Sequence, residues 1–254
     1  MRKMIVVSFL IALILPALAV GKSNTEAHFQ YGKLEVPGFA GGGAEYTSIF
    51  TIQHFGTWRY GSVFGFVDVS HSSRNNGFND SDVYGELYPI FSLSKITGRN
   101  IGVGPIKDIG IVTGINIGTD ANVRKYLPGI SLHFDVPDFS FVTLKLTRYI
   151  DGNKGLSSGG APKEDDGFDV DLSWRYPFKI KSAQFSIEGH AEYLTGRYNE
   201  LGNWVSPSLL AQPQLRWYLA DNVAIGIEYQ IWINKLGDKH TNEYRPQALA
   251  VYKF

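Results

Sequence analysis

The sequence predicts an all-β protein, a 12-stranded antiparallel transmembrane β-barrel built from residues 20–254. Three observations lead there. Apolar and polar residues alternate in segment after segment, residues 1–19 carry an export signal, and no later stretch is apolar enough for a membrane helix.

The start, "MRKMIVVSFLIALILPALAV", sets Arg2 and Lys3 before an apolar run from Met4 to Leu15, then Ala17 and Ala19 in an A-x-A pattern. That is the layout of a secretory signal peptide, with cleavage expected after Ala19; the competing reading is a retained membrane anchor. An exported chain without a spanning helix is either soluble or a barrel, because only helices and closed barrels satisfy their backbone within lipid. The chain has 24 basic and 24 acidic residues, a balance that argues against nucleic-acid binding. It has no Cys, which excludes disulfides, thiolate metal sites and thiol nucleophiles. Aromatic residues at 14% and 28 glycines suit strands and turns.

In chain order the expected strands are 28–37, 44–55, 59–69, 82–94, 101–117, 125–135, 139–150, 168–178, 184–195, 208–219, 223–234 and 245–254. Short turns are expected near Gly56-Thr57, Thr97-Gly98, Val136-Pro137-Asp138, Lys179–Ala183 and Asp221-Asn222. Longer connections fall near 38–43, 70–81, 118–124, 151–167, 196–207 and 235–244. From a periplasmic N-terminus this division places every long connection outside the cell, as bacterial barrels do.

Facing follows from the alternation. "GFDVDLSWRYP" (167–177) sets Phe168, Val170, Leu172, Trp174 and Tyr176 toward lipid, with Asp169, Asp171, Ser173 and Arg175 on the other face. "LLAQPQLRWYL" (209–219) and "NVAIGIEYQIWIN" (222–234) repeat the pattern, with Arg216 and Glu228 on their polar faces. A soluble β-sandwich would alternate in the same way. Strands of ten to twelve residues exceed the usual five or six, and Trp and Tyr gather near strand ends as in an interfacial belt. Both favour the barrel. The closing "ALAVYKF" ends on Phe254 with Tyr252 two residues earlier, while Leu249 and Val251 fall on the expected inner face.

"SIEGHAEY" (186–193) then reads as a lumen wall, with Glu188, His190 and Glu192 inward and Ile187, Ala191 and Tyr193 outward. Asp171, Arg175, Arg216, Glu228, Lys145, His133 and Asp135 add acids and bases to the same wall, where pore width and local fields set selectivity. Two other readings stand beside it. Glu188, His190 and Glu192 would hold a metal only if neighbouring strands brought further ligands. Ser173, His190 and Asp171 have the chemistry of a hydrolase, yet no nucleophile elbow marks any serine. No metal, no cofactor and no enzymatic activity are expected.

Residues 85–108, "GELYPIFSLSKITGRNIGVGPIKD", resemble the Tsx-like nucleoside-specific channel family, which includes the OmpK outer-membrane proteins. The resemblance lies in Glu86, Pro89, Phe91-Ser92, Lys95, Thr97, Gly104-Pro105 and Lys107, in "FGFVD" (64–68) after Trp58, and in the "YKF" ending. It implies a monomeric twelve-stranded barrel in the outer membrane of a Gram-negative bacterium. Aromatic rings in a narrow lumen would sandwich a base, and ionisable groups would reach its sugar. That role is carried over to Phe64, Phe66, Asp68 and Glu86; Tyr84 and Tyr88 share the face of Glu86. Stacking on a ring is worth about 1–3 kcal/mol per base, weak enough to permit release. The expected function is passive diffusion of nucleosides or related small heterocycles. The alternatives are a channel for other small polar solutes, or a surface receptor or adhesin acting through its outer loops. Such loops, "DGNKGLSSGGAPKEDDG" (151–167) among them, are captured by phage or colicins in members of the resembled family.

Overall fold

Successive hairpins carry the alternating segments into a single antiparallel sheet whose last strand pairs with its first. The computed structural model describes residues 21–73 and 81–254. The expected signal peptide and the centre of the 70–81 loop lie outside the described residues. The strands are β1 (Ser23–Glu35), β2 (Ala44–Trp58), β3 (Gly61–Ser72), β4 (Ser81–Ser92), β5 (Ile106–Gly118), β6 (Val123–Phe134), β7 (Phe141–Asp151), β8 (Gly167–Ile180) and β9 (Ala183–Leu194). A small hairpin, β10 (Arg197–Tyr198) and β11 (Trp204–Val205), precedes β12 (Ser208–Ala211), β13 (Gln214–Ala220), β14 (Val223–Ile233) and β15 (Glu243–Lys253). β12 and β13 form one crossing, since both pair with β9 on one side and β14 on the other. The barrel therefore has twelve crossings, closed by β15 on β1 from Lys253–Glu26 to Gln247–Gly32.

β1 begins at Ser23, five residues before the expected start, and four further regions depart from expectation. β2 runs on through Gly56-Thr57, and its turn lies at Arg59-Tyr60. The strand expected from 101 begins at Ile106, and the turn expected at Thr97-Gly98 is a thirteen-residue connection, 93–105, containing helix α1 (Leu93–Thr97). Ser92 caps that helix by accepting from Lys95 N (3.1 Å), and Gly98 ends it in the left-handed conformation. Lys95 Nζ donates to the carbonyls of Trp58 (3.2 Å) and Gly61 (3.0 Å), fastening the helix beneath the β2–β3 turn. This long connection is on the rim of the chain ends, so not every long connection is on the opposite, far rim. The connection expected at 118–124 is a tight turn over 119–122. Finally, the strand expected at 208–219 is interrupted at Gln212-Pro213, because Pro213 has no N–H to give the ladder. Its register with β9 is nevertheless the same on both sides of the break.

Outward residues form two aromatic girdles. Near the far rim Tyr31 stacks on Tyr46 with centroids 5.8 Å apart. Near the rim of the chain ends a ribbon runs Phe139–Tyr176–Phe178–Phe185–Trp217 across three strands, with successive centroids 5.1–6.3 Å apart. Exposed Leu, Ile and Val side chains such as Ile130, Leu146, Leu172, Ile187 and Ile227 fill the band between them. An apolar band with an aromatic ring at each edge is the lipid-facing surface of a membrane barrel.

At the far rim Asp238 ties the loop after β14 to the loop after β1. Its carboxylate accepts from Thr241 Oγ1 (2.7 Å), Gly38 N (2.7 Å) and His240 N (3.0 Å). These bonds, Thr241's foremost, hold the carboxyl below its ordinary value of 3.8. The tie is therefore complete above that value and weakens only as pH falls through the depressed one. Exchange of the Gly38 amide should stay slow at pH 5 and speed up in Asp238→Asn. A second expectation concerns Gly189, which faces the Pro213 break with φ of 151°; a Cβ there would lie 2.3 Å from the Gln212 carbonyl oxygen. Gly189→Ala should lower the temperature at which the barrel loses its folded gel mobility, in keeping with the ~1–3 kcal/mol cost of a disfavoured backbone.

Candidate functional site: the lumen wall

β3 and β4 form an aromatic wall. Phe64, Phe66 and Asp68 point inward in register with Tyr88, Glu86 and Tyr84 respectively. The Phe64 and Phe66 centroids are 6.2 Å apart, and Phe66 lies 6.1 Å from Tyr84, each pair tilted by about 50°. All three rings are partly exposed to the lumen. Tyr88 is not: it is buried with Ile90, Val112 and Leu127, and Lys145 Nζ sits 3.8 Å over its ring. Tyr84 donates its hydroxyl to Glu86 (2.6 Å), and the Asn116 amide donates to the same oxygen (3.0 Å). Asp68 accepts from Thr51 Oγ1 (2.6 Å). The face shared by Tyr84, Glu86 and Tyr88 is as expected, but Tyr88 supports the wall rather than lining the open lumen.

β8, β9 and β13 form the charged wall. Glu188, His190 and Glu192 share the inner face of β9, but each goes to a different partner. Glu188 pairs with Arg175 Nε (3.1 Å) and Arg216 (2.8 Å), and Arg216 also holds Glu26 of β1 (2.9 Å). Arg175 donates to the Tyr218 hydroxyl (2.8 Å). His190 Nδ1 lies 3.2 Å from Asp171, and its Nε2 lies 2.8 Å from the Gln212 side-chain oxygen. With both ring nitrogens occupied, His190 has none for Ser173, which faces it across the ladder. Glu192 stands beside Asp169 and Asp171, partly exposed to the lumen. Among the described residues no three acidic or histidine side chains adopt a metal-holding arrangement. Asp135 lies in the turn after β6, exposed, and is not part of the wall.

Glu228 sits apart from these ion pairs in a cage of glutamines. It accepts from the amides of Gln214 (2.6 Å), Gln30 (2.9 Å), Gln247 (2.9 Å) and Gln212 (3.1 Å). Gln230 extends the cage by accepting from Gln212 and Gln247 and donating to Glu243, which Lys235 also holds (2.9 Å). Sequence reasoning missed most of this shell. Glu26, His28 and Gln30 precede or open the first expected strand, although the polar spacing of "EAHFQ" (26–30) already carries the period of two. Nothing in the sequence marks Gln212, Gln214, Gln230 and Gln247 as a group until the barrel closes and brings them together. The mouth at the far rim was equally unforeseen. There Lys125 and Arg197 lie on the Tyr149 ring at 5.2 and 5.1 Å, and both pair with Glu164 (2.6 and 2.8 Å). Arg197, from the hairpin after β9, thus folds inward over the lumen.

Inside a low-dielectric wall a charge without a partner costs far more than the net gain from any one pair. Arg216→Met would leave Glu26 and Glu188 buried without it. The unfolding midpoint of the refolded barrel should fall by an amount equivalent to about 3–5 kcal/mol.

A closed barrel with an apolar girdled exterior, a polar inner wall and aromatic rings facing the lumen defines an outer-membrane channel. The chain belongs to the family of nucleoside-specific channel-forming proteins, Tsx, whose model matches residues 36–253. It is 23% identical over 258 residues to the outer membrane protein OmpK of Vibrio parahaemolyticus, covering 95% of this chain and 94% of that protein. Among solved structures it is similar in fold to the NanC porin (13% identity, TM-score 0.51, 91% and 98% of the two chains covered). A second such likeness is to an outer membrane channel from Pseudomonas putida F1 (11% identity, TM-score 0.50, 93% and 97% covered).

Proposed function

We propose that this outer-membrane channel carries nucleosides or related small heterocycles, held in passing between the β3–β4 aromatic wall and the β8–β9 charged wall. The observation that carries the reading is the run of three lumen-exposed rings, Phe64, Phe66 and Tyr84, with the carboxyls of Asp68 and Glu86 set among them. A base offers a π face to the rings, and a sugar offers hydroxyls that donate to carboxylates. Binding of this kind is worth a few kcal/mol at most, so the solute exchanges rather than stays. Movement is down the gradient and the solute leaves unchanged. One barrel encloses its own lumen, so a monomer suffices. The family's description, nucleoside-specific, supports the same class of solute.

In proteoliposomes adenosine should cross faster than ribose, although ribose is smaller. Phe66→Ala with Tyr84→Ala should remove about tenfold of that preference, as loss of one stacking platform would. Asp68→Ala should lower adenosine flux without affecting folding. Ribose crossing as readily as adenosine, with no response to the ring variants, would leave a channel for small polar solutes in general.

A further inference from the structure

We propose that the lumen selects for cations and turns away anionic solutes, and that Asp169, Glu192 and the caged Glu228 set this preference. The inference rests on the channel, and not on which heterocycle it carries. Asp169 and Asp171 of β8 and Glu192 of β9 come together on one side of the lumen, within electrostatic range of Glu86 across it. Among the described residues two basic groups reach this quartet, so four carboxyls face two bases; both make their closest contact with Asp171, Lys145 Nζ at 3.6 Å and His190 Nδ1 at 3.2 Å. Glu86 takes its hydrogen bonds from the neutral donors Tyr84 and Asn116 and feels Lys145 and His190 only at longer range. Asp169 is 2% exposed; its Oδ2 takes the Thr147 hydroxyl (2.8 Å), and its carboxyl lies in hydrogen-bond contact with that of Glu192, so the pair shares a proton and still carries a negative charge.

Glu228 makes the same point by a different arrangement. Four glutamine amides satisfy its lone pairs, yet amides are neutral and leave the charge uncancelled. The nearby Arg216 is already shared between Glu26 and Glu188, and among the described residues no base forms an ion pair with Glu228. A narrow lumen with low-dielectric walls focuses such a surplus, concentrating counter-ions and repelling ions of like sign. A heterocycle bearing a phosphate is repelled along with chloride, whereas a neutral or cationic one is admitted.

The test is the reversal potential of the refolded channel in a planar bilayer under a roughly tenfold KCl gradient, read as the potassium-to-chloride permeability ratio. The wild type should give a ratio above about 3, falling toward about 1 in the Asp169→Asn, Glu192→Gln double variant, with Glu228→Gln in between. The wild-type reading needs no variant, so a substitution that fails to fold does not decide the matter. A wild-type ratio of one or below would overturn the proposal, as would a folded double variant with the wild-type ratio or a folded barrel that passes no current. A cation preference without any preference for adenosine would uphold this inference while removing the nucleoside reading.

Discussion

Closure of β15 on β1 is the constraint from which the rest follows. A strand inside lipid must pair on both edges, because nothing in hydrocarbon can hydrogen-bond its backbone. Once the sheet is closed, the period of two assigns every residue to lipid or to lumen, with no intermediate place for a charged side chain. Twelve strands enclose a space wider than side chains fill in an eight-stranded barrel and narrower than the aqueous channel of the porins with many more strands. The inner polar groups thus lie close enough to satisfy one another. Arg216 bridging β1 and β9, and four glutamines converging on Glu228, are direct consequences of that confinement.

The same confinement divides the wall by function. On the side of Glu228 and Arg216 the polar groups are buried in mutual hydrogen bonds, which fixes their positions and makes them part of the scaffold. On the sides of Phe66 and Glu192 the groups remain partly open. An aromatic ring has no hydrogen bond to satisfy, so its face stays available to a passing solute. The site is preorganised by the packed side and exposed on the other, an arrangement suited to weak, repeated contact.

The strands were legible because alternation is local: Asp169, Asp171 and Arg175 in one segment and Glu188, His190 and Glu192 in the next reveal their common face without a fold. Lengths were legible for the same reason, to within a few residues at most boundaries. The errors are where the local signal was ambiguous or absent. Ile and Gly around 99–110 conceal where β5 begins, and helix α1 is short enough that its cap, Ser92, reads as a strand residue. Pro213 breaks the ladder without moving the register, which alternation cannot show. Partners across the barrel were not legible at all. Glu26 and Arg216 are 190 positions apart and meet only because the ends of the sheet join.

A solute-binding path, an open pore and a filled core differ in the current they pass. Single-channel conductance of the refolded protein, titrated with adenosine, separates the three. A solute-binding lumen should pass a small, steady current that falls saturably as adenosine is added, since a stacked base would occupy the path that ions use. A conductance as large as a general porin's, or one that adenosine leaves unchanged, would mean that no base is held in the lumen.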